Sequence, residues 1–386
     1  KPIRIQKEYD TTVLEAQQNN IFDYNVYASD SMKNYVTYGG GGEGPQMSFA
    51  ELQQYKGWYG EGAGEAVLGY EANGVYAPVE FVDVKSDGRL SGSDNPAIGA
   101  AADTIVEGVP APATDITGAA RTKKEAGAYA FDPTMVFVGE NSGEETGSSS
   151  KPYTSVSHAV AAGGTNIVVK PGAYEEDGVT IPAGTTVKPY GENGSVVLNG
   201  AVAVNGGSVS GVVFSGAVTV SGSDSELKND QFKAALKVVG AADSLISSND
   251  IQAGLDLSGD TGTTVENNVI SGAAAGVSAN ASTGLKLYNN TFVNNTKDLQ
   301  FTNASATVRN NIFSAESTVD GGTVDSDYNC YSSVTVSEEY FNAAAEANSI
   351  WANPEFVNAK AGDYRLHKLS ACVGAGASDE DTPAVD

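Results

Sequence analysis

The sequence has few of the residues that metal sites and nucleic-acid interfaces use. Its 386 residues include 2 histidines and 2 cysteines, and 22 basic residues stand against 48 acidic ones. The net charge of −26 disfavours nucleic acid as a partner, because the phosphate backbone is also negative. The apolar runs are far shorter than the roughly 18 residues of a spanning helix, so no membrane span is predicted.

Small and β-branched residues are abundant instead. The chain has 45 glycines, only 18% of its residues are charged, and serine, threonine, asparagine, alanine and valine are frequent. This composition favours many short strands joined by turns over a helical bundle. The length is sufficient for two or three domains. The two cysteines, Cys330 and Cys372, lie too far apart for the spacing of a metal motif.

A short asparagine-containing pattern recurs about every twenty residues. It appears in the segments KNDQF, SNDIQ, ENNVI, YNNTF and RNNIF, at Asn229, Asn249, Asn267, Asn289 and Asn310. The steps between them are 20, 18, 22 and 21 residues. Such a period is typical of one turn of a parallel β-helix, whose stacked units share a core that none could bury alone.

Stacking explains why asparagine is repeated. Each coil of a parallel β-helix lies about 4.8 Å above the previous one, so a residue at the same point of each turn meets its own copies. The amide of asparagine both donates and accepts, and asparagine tolerates the left-handed backbone of a sharp corner. The five asparagines are therefore predicted to form one hydrogen-bonded ladder. The apolar pair that follows, such as Ile312-Phe313, begins the next strand.

Both ends of the repeat region carry further motifs. Pro152-Tyr153-Thr154, a helix predicted over 153–162, and Pro171-Gly172-Ala173-Tyr174 precede it, while DYNCY (327–331) and NPEFVNAKAGDYRLHKLSACVGAGA (353–377) follow. These motifs resemble the opening and closing segments of the pectate-lyase-like superfamily. The resemblance implies an all-β fold, a right-handed parallel β-helix with a short N-terminal capping helix. It divides residues 134–386 into a plug (134–175), coils (176–331) and a closing segment (332–386).

The first third of the chain repeats that closing pattern. NNIFDYNVY (19–27) matches NNIF and DYNCY, and residues 77–103 match 352–379, with Phe81 and Gly99 each 275 positions before Phe356 and Gly374. Residues 1–133 are therefore predicted to be the last coils and closing segment of a first β-helix module. They carry an insert rich in tyrosine and glycine at 28–77.

The first copy continues further than the second. Residues 104–133 have the composition of a terminal seal, whereas EDTPAVD ends where the first copy continues PATDITGAAR. We expect the chain to be a piece of a longer tandem array, or a chain whose end is disordered or covered by a neighbour. In this alignment Cys330 replaces Val26 and Cys372 replaces Ile98. Separate packing of two buried thiols is favoured, and a disulfide between them stays open.

The resemblance also implies where chemistry would occur. Enzymes of the superfamily carry a lateral groove, and its lyases use a lysine or arginine base, often with calcium. Strand alternation places Glu266, Lys286, Tyr288 and Arg309 outward on adjacent coils. A base, a phenol and a guanidinium in one groove suit proton abstraction beside a uronate carboxylate. A solvated face with cross-strand charge pairs is the favoured alternative.

Two further groups of residues are candidates for binding. Asp256 and Asp260 in DLSGDTG are weak calcium candidates, with a solvated turn favoured, and no other cofactor is predicted. The insert contains Tyr35, Tyr38, Tyr55, Trp58 and Tyr59. These rings suit contact with a glycan or another protein, or they cover the open end of the solenoid.

The favoured function is structural. Tandem β-helix modules with an unremarkable outer face predict an extracellular or cell-surface protein that forms a rod, filament or surface layer. Its partners would be copies of itself or neighbouring modules. The alternatives are a polysaccharide-active enzyme, most plausibly a lyase on uronate polysaccharides, and a non-catalytic glycan-binding adhesin. An enzyme is less favoured than a structural role.

Overall fold

The computed structural model describes residues 3–5, 25–27, 36–38, 46–47, 73–83, 87–93, 95–106, 109–176, 178–332 and 346–377. The chain divides into two compact units. The first consists of Lys1–Pro133 with Ser148–Ser150, and the second of Thr134–Gly147 with Lys151–Asp386. The interpretation of these parts as two β-helix modules stays a prediction.

The first unit contains short strands in small sheets. β2 and β5 are parallel, with Val26 opposite Val75, and β6 and β7 form an antiparallel hairpin. A second hairpin joins β8 and β9. The strands are β1 (Ile3–Ile5), β2 (Val26–Tyr27), β3 (Val36–Tyr38), β4 (Gln46–Met47), β5 (Val75–Tyr76), β6 (Phe81–Asp83), β7 (Asp87–Leu90), β8 (Thr104–Val106) and β9 (Val109–Pro110).

In its described residues the second unit contains one helix, a 3₁₀ turn at Ala359–Ala361 and the remaining strands. The helix is α1 (Val156–Ala161). The first strands are β10 (Met135–Val138), β11 (Asn166–Val169), β12 (Gly172–Glu175), β13 (Val179–Pro182), β14 (Thr186–Pro189), β15 (Val196–Asn199), β16 (Val202–Asn205), β17 (Ser208–Ser210), β18 (Val212–Phe214), β19 (Val218–Gly222), β20 (Glu226–Lys228), β21 (Gln231–Phe232), β22 (Leu236–Val238), β23 (Leu245–Ser247) and β24 (Asp250–Ile251). They continue with β25 (Leu255–Asp256), β26 (Thr264–Glu266), β27 (Val269–Ser271), β28 (Ala275–Asn280), β29 (Leu285–Tyr288), β30 (Thr291–Val293), β31 (Lys297–Arg309), β32 (Ile312–Phe313), β33 (Glu316–Asp327), β34 (Cys330–Tyr331), β35 (Ile350–Trp351), β36 (Phe356–Asn358) and β37 (Asp363–Leu366).

These strands form the predicted β-helix. Three parallel faces run along the unit: β11-β14-β17-β20-β23-β26-β29, β13-β16-β19-β22-β25-β28, and β12-β15-β18-β21-β24-β27-β30-β32-β34-β35. The long strands β31 and β33 extend across the first two faces. The all-β right-handed parallel β-helix, preceded by one short capping helix, is confirmed.

The core is a set of stacked columns. On the face that begins with β12, paired residues point inward with almost no exposure, and aromatic rings lie over one another. Ring centroids are 4.9 Å apart for Phe292 and Phe313, and 5.3 Å apart for Phe313 and Tyr331. The column ends at Trp351, whose ring stacks 5.3 Å from Tyr331. Column packing of this kind explains why one coil alone could not bury its apolar face.

The amide ladder exists, but one residue later than predicted in most coils. The backbone N–H of each member donates to the side-chain oxygen of the member one coil above. Examples are Asn249 N to Asn268 Oδ1 at 2.9 Å and Asn268 N to Asn290 Oδ1 at 3.0 Å. The ladder residues are Asp230, Asn249, Asn268, Asn290, Asn311 and Asn329. Asn249 is the one residue that this column shares with the predicted set.

The other predicted ladder residues lie at the sharp turns between strands. Asn229, Asn267, Asn289 and Asn310 have φ angles between 55° and 61°, in the left-handed region. Asparagine tolerates that backbone, and the turn leaves the next side chain directed into the stack. The two roles that were assigned to one asparagine therefore belong to two neighbouring positions.

Helix α1 closes the first end of the solenoid. It covers less than the predicted 153–162, because Ser155 is its N-cap and Gly163, with φ 85°, follows its last turn. Val156 and Ala159 are fully buried against the first coil. The carboxylate of the buried Glu176 accepts the N–H groups of Val156 and Ser157 at 2.5 and 3.1 Å. A carboxylate at this position satisfies helix N–H groups that have no partner within the helix.

The closing segment folds back onto the coils. The side chain of Asn310 exchanges two hydrogen bonds with the backbone of Ala377, at 2.7 and 3.1 Å. Cys330 and Cys372 form a disulfide with their Cα atoms 5.9 Å apart. The favoured interpretation of two separate thiols is therefore wrong. The pairing was not evident because the approach of residue 372 to residue 330 depends on this fold-back.

The turn geometry also corrects one alignment. Cys372 N donates to Ser370 Oγ and Ala97 N donates to Asn95 Oδ1, each at 3.1 Å. Cys372 therefore corresponds to Ala97, not Ile98. In the first unit Val26 packs against the core cluster that contains Ala97. An apolar contact there takes the position of the disulfide in the second unit.

The disulfide gives the first prediction. Protein isolated without reductant and digested after alkylation should yield one cross-linked peptide pair that joins Cys330 to Cys372. A disulfide has no thiolate to alkylate, so neither cysteine should be labelled in the unreduced protein even when it is denatured first. The same digest after reduction, with both peptides separately alkylated, is the control. Two alkylated cysteines in the unreduced sample would contradict the pairing.

Candidate functional site

The structure brings together three of the four predicted groove residues. Glu266, Tyr288 and Arg309 lie directly opposite one another on β26, β29 and β31. Lys286 lies two residues before Tyr288 on β29, opposite Thr264 and Thr307. The column continues to Asp327 on β33. Strand register therefore places the four side chains on one outer face.

Two of the four side chains are engaged within the protein. Tyr288 is only 5% exposed although strand alternation directs it away from the core. Arg309 donates to the carbonyl oxygen and to Oδ1 of Asp325, both at 2.7 Å. The adjacent Asn310 is held by the closing segment at Ala377. The phenol and the guanidinium are thus engaged in packing and ion pairing.

The other two predicted residues, Lys286 and Glu266, differ in environment. Lys286 is exposed. Burial raises the pKa of the Glu266 carboxyl, and the charge of Lys228, two coils below, lowers it. A lysine and a carboxylate beside a buried phenol form cross-strand contacts of the kind that stabilise a sheet. The geometry fits a charged structural column better than a catalytic centre.

The aspartates of the DLSGDTG turn have separate contacts. Asp256 lies on the outer face, where it accepts from Ser258 Oγ at 2.5 Å and lies 3.5 Å from Lys237 Nζ. Asp260 is 1% exposed, and its burial raises its pKa. Among the described residues no three His, Cys, Asp or Glu side chains are grouped to hold a metal ion. Calcium at this turn stays a prediction.

Most of the aromatic insert lies outside the described residues. This applies to Tyr35, Tyr55, Trp58 and Tyr59. Tyr38 is the last residue of β3, which pairs with β1 and β4. The contact interpretation of these five residues stays a prediction.

Buried acids in the β-helix were not singled out from the sequence. Asp230 occupies an asparagine position in the ladder, and Val212 N donates to its Oδ1 at 2.8 Å. Asp298 is fully buried and accepts from Ser314 N and Ala315 N, each at 2.6 Å. Burial raises the pKa of Asp298 to about 6, despite these bonds. The sequence signal that could have identified Asp230 is an aspartate at a position where other coils have asparagine.

The imidazole and sulfur groups are dispersed. His158 on α1 contacts Glu145 at 2.6 Å, at the first end of the second unit. His367 follows β37 in the closing segment, where its Nδ1 accepts from Leu369 N at 3.4 Å. Met135 is buried in β10, and both cysteines are in the disulfide. Within the described residues these donors do not converge on one point.

Comparison with solved structures gives a distant match. The chain is similar to pectate lyase Pel9A at 14% sequence identity and a TM-score of 0.40. The similarity covers 65% of this chain and 94% of that one. No curated protein matches the chain.

A family model matches the coils directly. It is described as periplasmic copper-binding protein (NosD), and it matches residues 163–363, a little more than half of the chain. The matched region begins just after α1 and ends in the closing hairpin, so it spans the stacked coils described above. The chain therefore belongs to the NosD family of parallel β-helix proteins.

Proposed function

We propose that this protein is a structural or surface protein outside the cytoplasm, in which β-helix modules are joined in series. The observation that carries the proposal is a closing geometry that occurs twice. In the first unit β2 pairs with β5 and the β6–β7 hairpin sets Phe81 opposite Leu90. In the second, β34 pairs with β35 and the β36–β37 hairpin sets Phe356 opposite Leu366.

Two observations support a location outside the cytoplasm. The family is described as periplasmic, and a buried disulfide is typical of proteins that fold in an oxidising compartment. No helix among the described residues is long and apolar enough to cross a membrane. We further propose that the protein lies at the cell surface or in the extracellular space.

The outer face supports a structural role. One entire face presents small and isolated polar side chains, without a concentration of aromatic or charged groups. From the first coil onward its outward column is Thr180, Ala203, Thr219, Lys237, Asp256, Ser278 and Gln300. Such a surface suits stacking and solubility better than recognition of a polymer.

The edge of β33 is where end-to-end contact would begin. This twelve-residue strand pairs only with β31 in the described part of the chain. A long strand edge offers backbone groups to another strand, and charged side chains on it discourage pairing. The strand carries Glu316, Asp320, Asp325 and Asp327, and no basic residue. Repulsion between acidic edges would therefore limit association at low salt.

Salt and one substitution test this interpretation. Raising the ionic strength from about 0.01 M to about 0.15 M shortens the screening length from about 30 to about 8 Å, so association should increase. Asp320→Asn should raise the association constant about two- to fivefold at low salt, because it removes one repulsive charge. Sedimentation velocity over a concentration series measures both effects, and electron microscopy shows whether the products are rods.

The matched control is Asp224→Asn, which removes the same charge from an exposed turn in the middle of the coils. It should leave association unchanged. A chain that stays monomeric at high salt and high concentration, with or without Asp320→Asn, would refute assembly through this edge.

The other candidate functions have less support. A polysaccharide lyase would need the Glu266, Lys286, Tyr288 and Arg309 column to be open, whereas Tyr288 is buried and Arg309 is paired. A glycan-binding adhesin rests on the insert at 28–77, most of which is not described. Copper favours imidazole and sulfur ligands, and the two histidines and the sulfur groups described here do not fit such a site. We therefore derive no copper chemistry for this chain.

A further inference from the structure

The closing segment of the second unit exposes apolar side chains whose counterparts in the first unit are covered. Val357 on β36 is 51% exposed, whereas Val82, at the same position of β6, is 5% exposed. Val373 is 54% exposed, whereas its counterpart Ile98 is half-buried and packs against a core cluster. Leu369, in the same segment, is 74% exposed. Three exposed apolar side chains within one segment make that segment a candidate contact surface.

The turns of the two segments have similar local structure, so the difference in exposure between Ile98 and Val373 is consistent with a cover that only the first turn has. Both hairpins pair a phenylalanine with a leucine, with one more residue between them in the second, and both are followed by a turn that ends at a glycine in the left-handed region. Gly99 has φ 80° and Gly374 has φ 74°. Ile98 N donates to Asn95 O at 3.0 Å, and Val373 N donates to Ser370 O at 3.2 Å.

In the first unit the cover is the terminal seal, residues 104–133. Ala126 N donates to Ala97 O, and Ala101 N donates to Lys124 O, each at 2.9 Å. Phe131 belongs to the same buried cluster as Ala97. The seal therefore contacts the turn through both backbone hydrogen bonds and apolar packing.

The seal is organised by two of its own side chains. Asp115 accepts four hydrogen bonds, and these bonds hold the pKa of its carboxyl far below the usual range. Arg121 donates to successive backbone carbonyl groups of the loop that carries the contacts. The donors to Asp115 are Thr117 N, Thr117 Oγ1, Ala119 N and Ala130 N, and the acceptors of Arg121 include Glu125 O and Gly127 O.

We propose that the closing segment of the second unit, residues 350–377, is the docking surface for a second seal, a peptide with the sequence character of residues 116–133. Pro383-Ala384-Val385-Asp386 matches Pro112-Ala113-Thr114-Asp115 after a gap, since it lies nine residues after Gly374 and its counterpart lies thirteen after Gly99. Residues 116–133 and residues 350–377 each contain three basic and two acidic side chains, so the seal that covers the corresponding turn of the first unit, and not charge, favours this occupant.

This inference deepens the proposed function, because a seal on each closing segment is how one module would end and the next begin. It concerns the occupant of one surface, however, and does not depend on whether chains assemble into rods. The two are therefore tested by separate measurements.

The test appends residues 116–133 directly after Asp386 in the full chain. Hydrogen exchange, followed by mass spectrometry of peptides from 350–377, is compared between the parent and the fusion at a concentration where both are monomeric. Amides of the turn at 370–376 should exchange about tenfold more slowly, or slower still, in the fusion, because docking removes them from local opening.

The matched control is the same fusion in which the appended segment carries the change that corresponds to Arg121→Ala. It has the same length and nearly the same composition, but it loses the donor that organises the loop. Its exchange at 370–376 should return to the parent rate. Equal exchange in the parent and both fusions would overturn the inference. The inference would also be overturned if the amides at 370–376 of the parent exchanged more slowly at higher protein concentration, because a second copy of the chain would then be the occupant. Association measured by sedimentation stays an independent test of the proposed function.

Discussion

Replacing Asn268 by alanine is expected to lower the free energy of unfolding by about 3–5 kcal/mol, since it removes three buried hydrogen bonds. Asn268 Oδ1 accepts from Asn249 N at 2.9 Å, and its Nδ2 donates to Ile246 O at 2.8 Å and to Asn290 Oδ1 at 3.0 Å. The residue is 1% exposed, so water does not replace these contacts. Urea denaturation followed by circular dichroism measures the loss.

The neighbouring residue provides the matched control. Asn267 has φ 57° and is exposed, so Asn267→Gly keeps the corner without removing a buried contact. Glycine adopts this backbone readily, and the change should cost no more than about 1 kcal/mol. If Asn267→Gly were as damaging as Asn268→Ala, the bonded column would run through the first asparagine of each pair, contrary to the structure.

The sequence was sufficient to predict the fold and the coil period, but not the register of the ladder. In coils that contain Asn-Asn either residue can be chosen, and in SNDIQ and KNDQF the single asparagine belongs to different columns. Choosing the asparagine each time gave steps of 20 and 18 residues from Asn229 to Asn267. The hydrogen bonds from Asp230 through Asn249 to Asn268 instead have two steps of 19. Over these three coils the even spacing distinguishes the two columns.

The prediction of the candidate site was limited by contacts between distant parts of the chain. Strand alternation and period placed Glu266, Tyr288 and Arg309 on one face of adjacent coils, as the structure has them. The contact of the closing segment beside that face could not be predicted, because it involves a residue more than sixty positions further along the chain. The contact between Asn310 and Ala377 and the disulfide are tertiary features that no local pattern encodes.

Replacing Asp230 by asparagine is expected to stabilise the protein by about 1–3 kcal/mol near pH 8, because it supplies a donor that the carboxylate lacks. Asp230 is 2% exposed and stands at a ladder position. Its Oδ1 accepts from Val212 N, but its Oδ2 is buried without a hydrogen-bond partner. In the next coil Asn249 Nδ2 donates to Leu227 O at 3.0 Å. The register pairs Leu227 with Val209, so the corresponding acceptor for residue 230 is the Val209 carbonyl.

A protonated aspartic acid can make the same contact, which gives the substitution a pH dependence. Burial raises the pKa of Asp230 well above its usual value. Between the pKa of the unfolded chain and that of the folded one, the folded state binds more protons, so stability falls as pH rises. The contribution of the neutral acid is fully present below the unfolded-state pKa and is lost as pH rises through the folded-state pKa.

Urea denaturation of the parent and Asp230→Asn at pH 4 and pH 8 separates this effect from a general change in packing. The two proteins should differ by less than about 1 kcal/mol at pH 4, where the acid is neutral and donates as the amide does. The difference in the free energy of unfolding between the two proteins should increase towards pH 8. Both proteins should also lose stability over part of this range, because burial raises the pKa of Asp298 to about 6. Asp224→Asn, on an exposed turn, should track the parent at both pH values. A constant difference between parent and Asp230→Asn across this range would mean that residue 230 does not titrate, and that the ladder accommodates an ionised carboxylate.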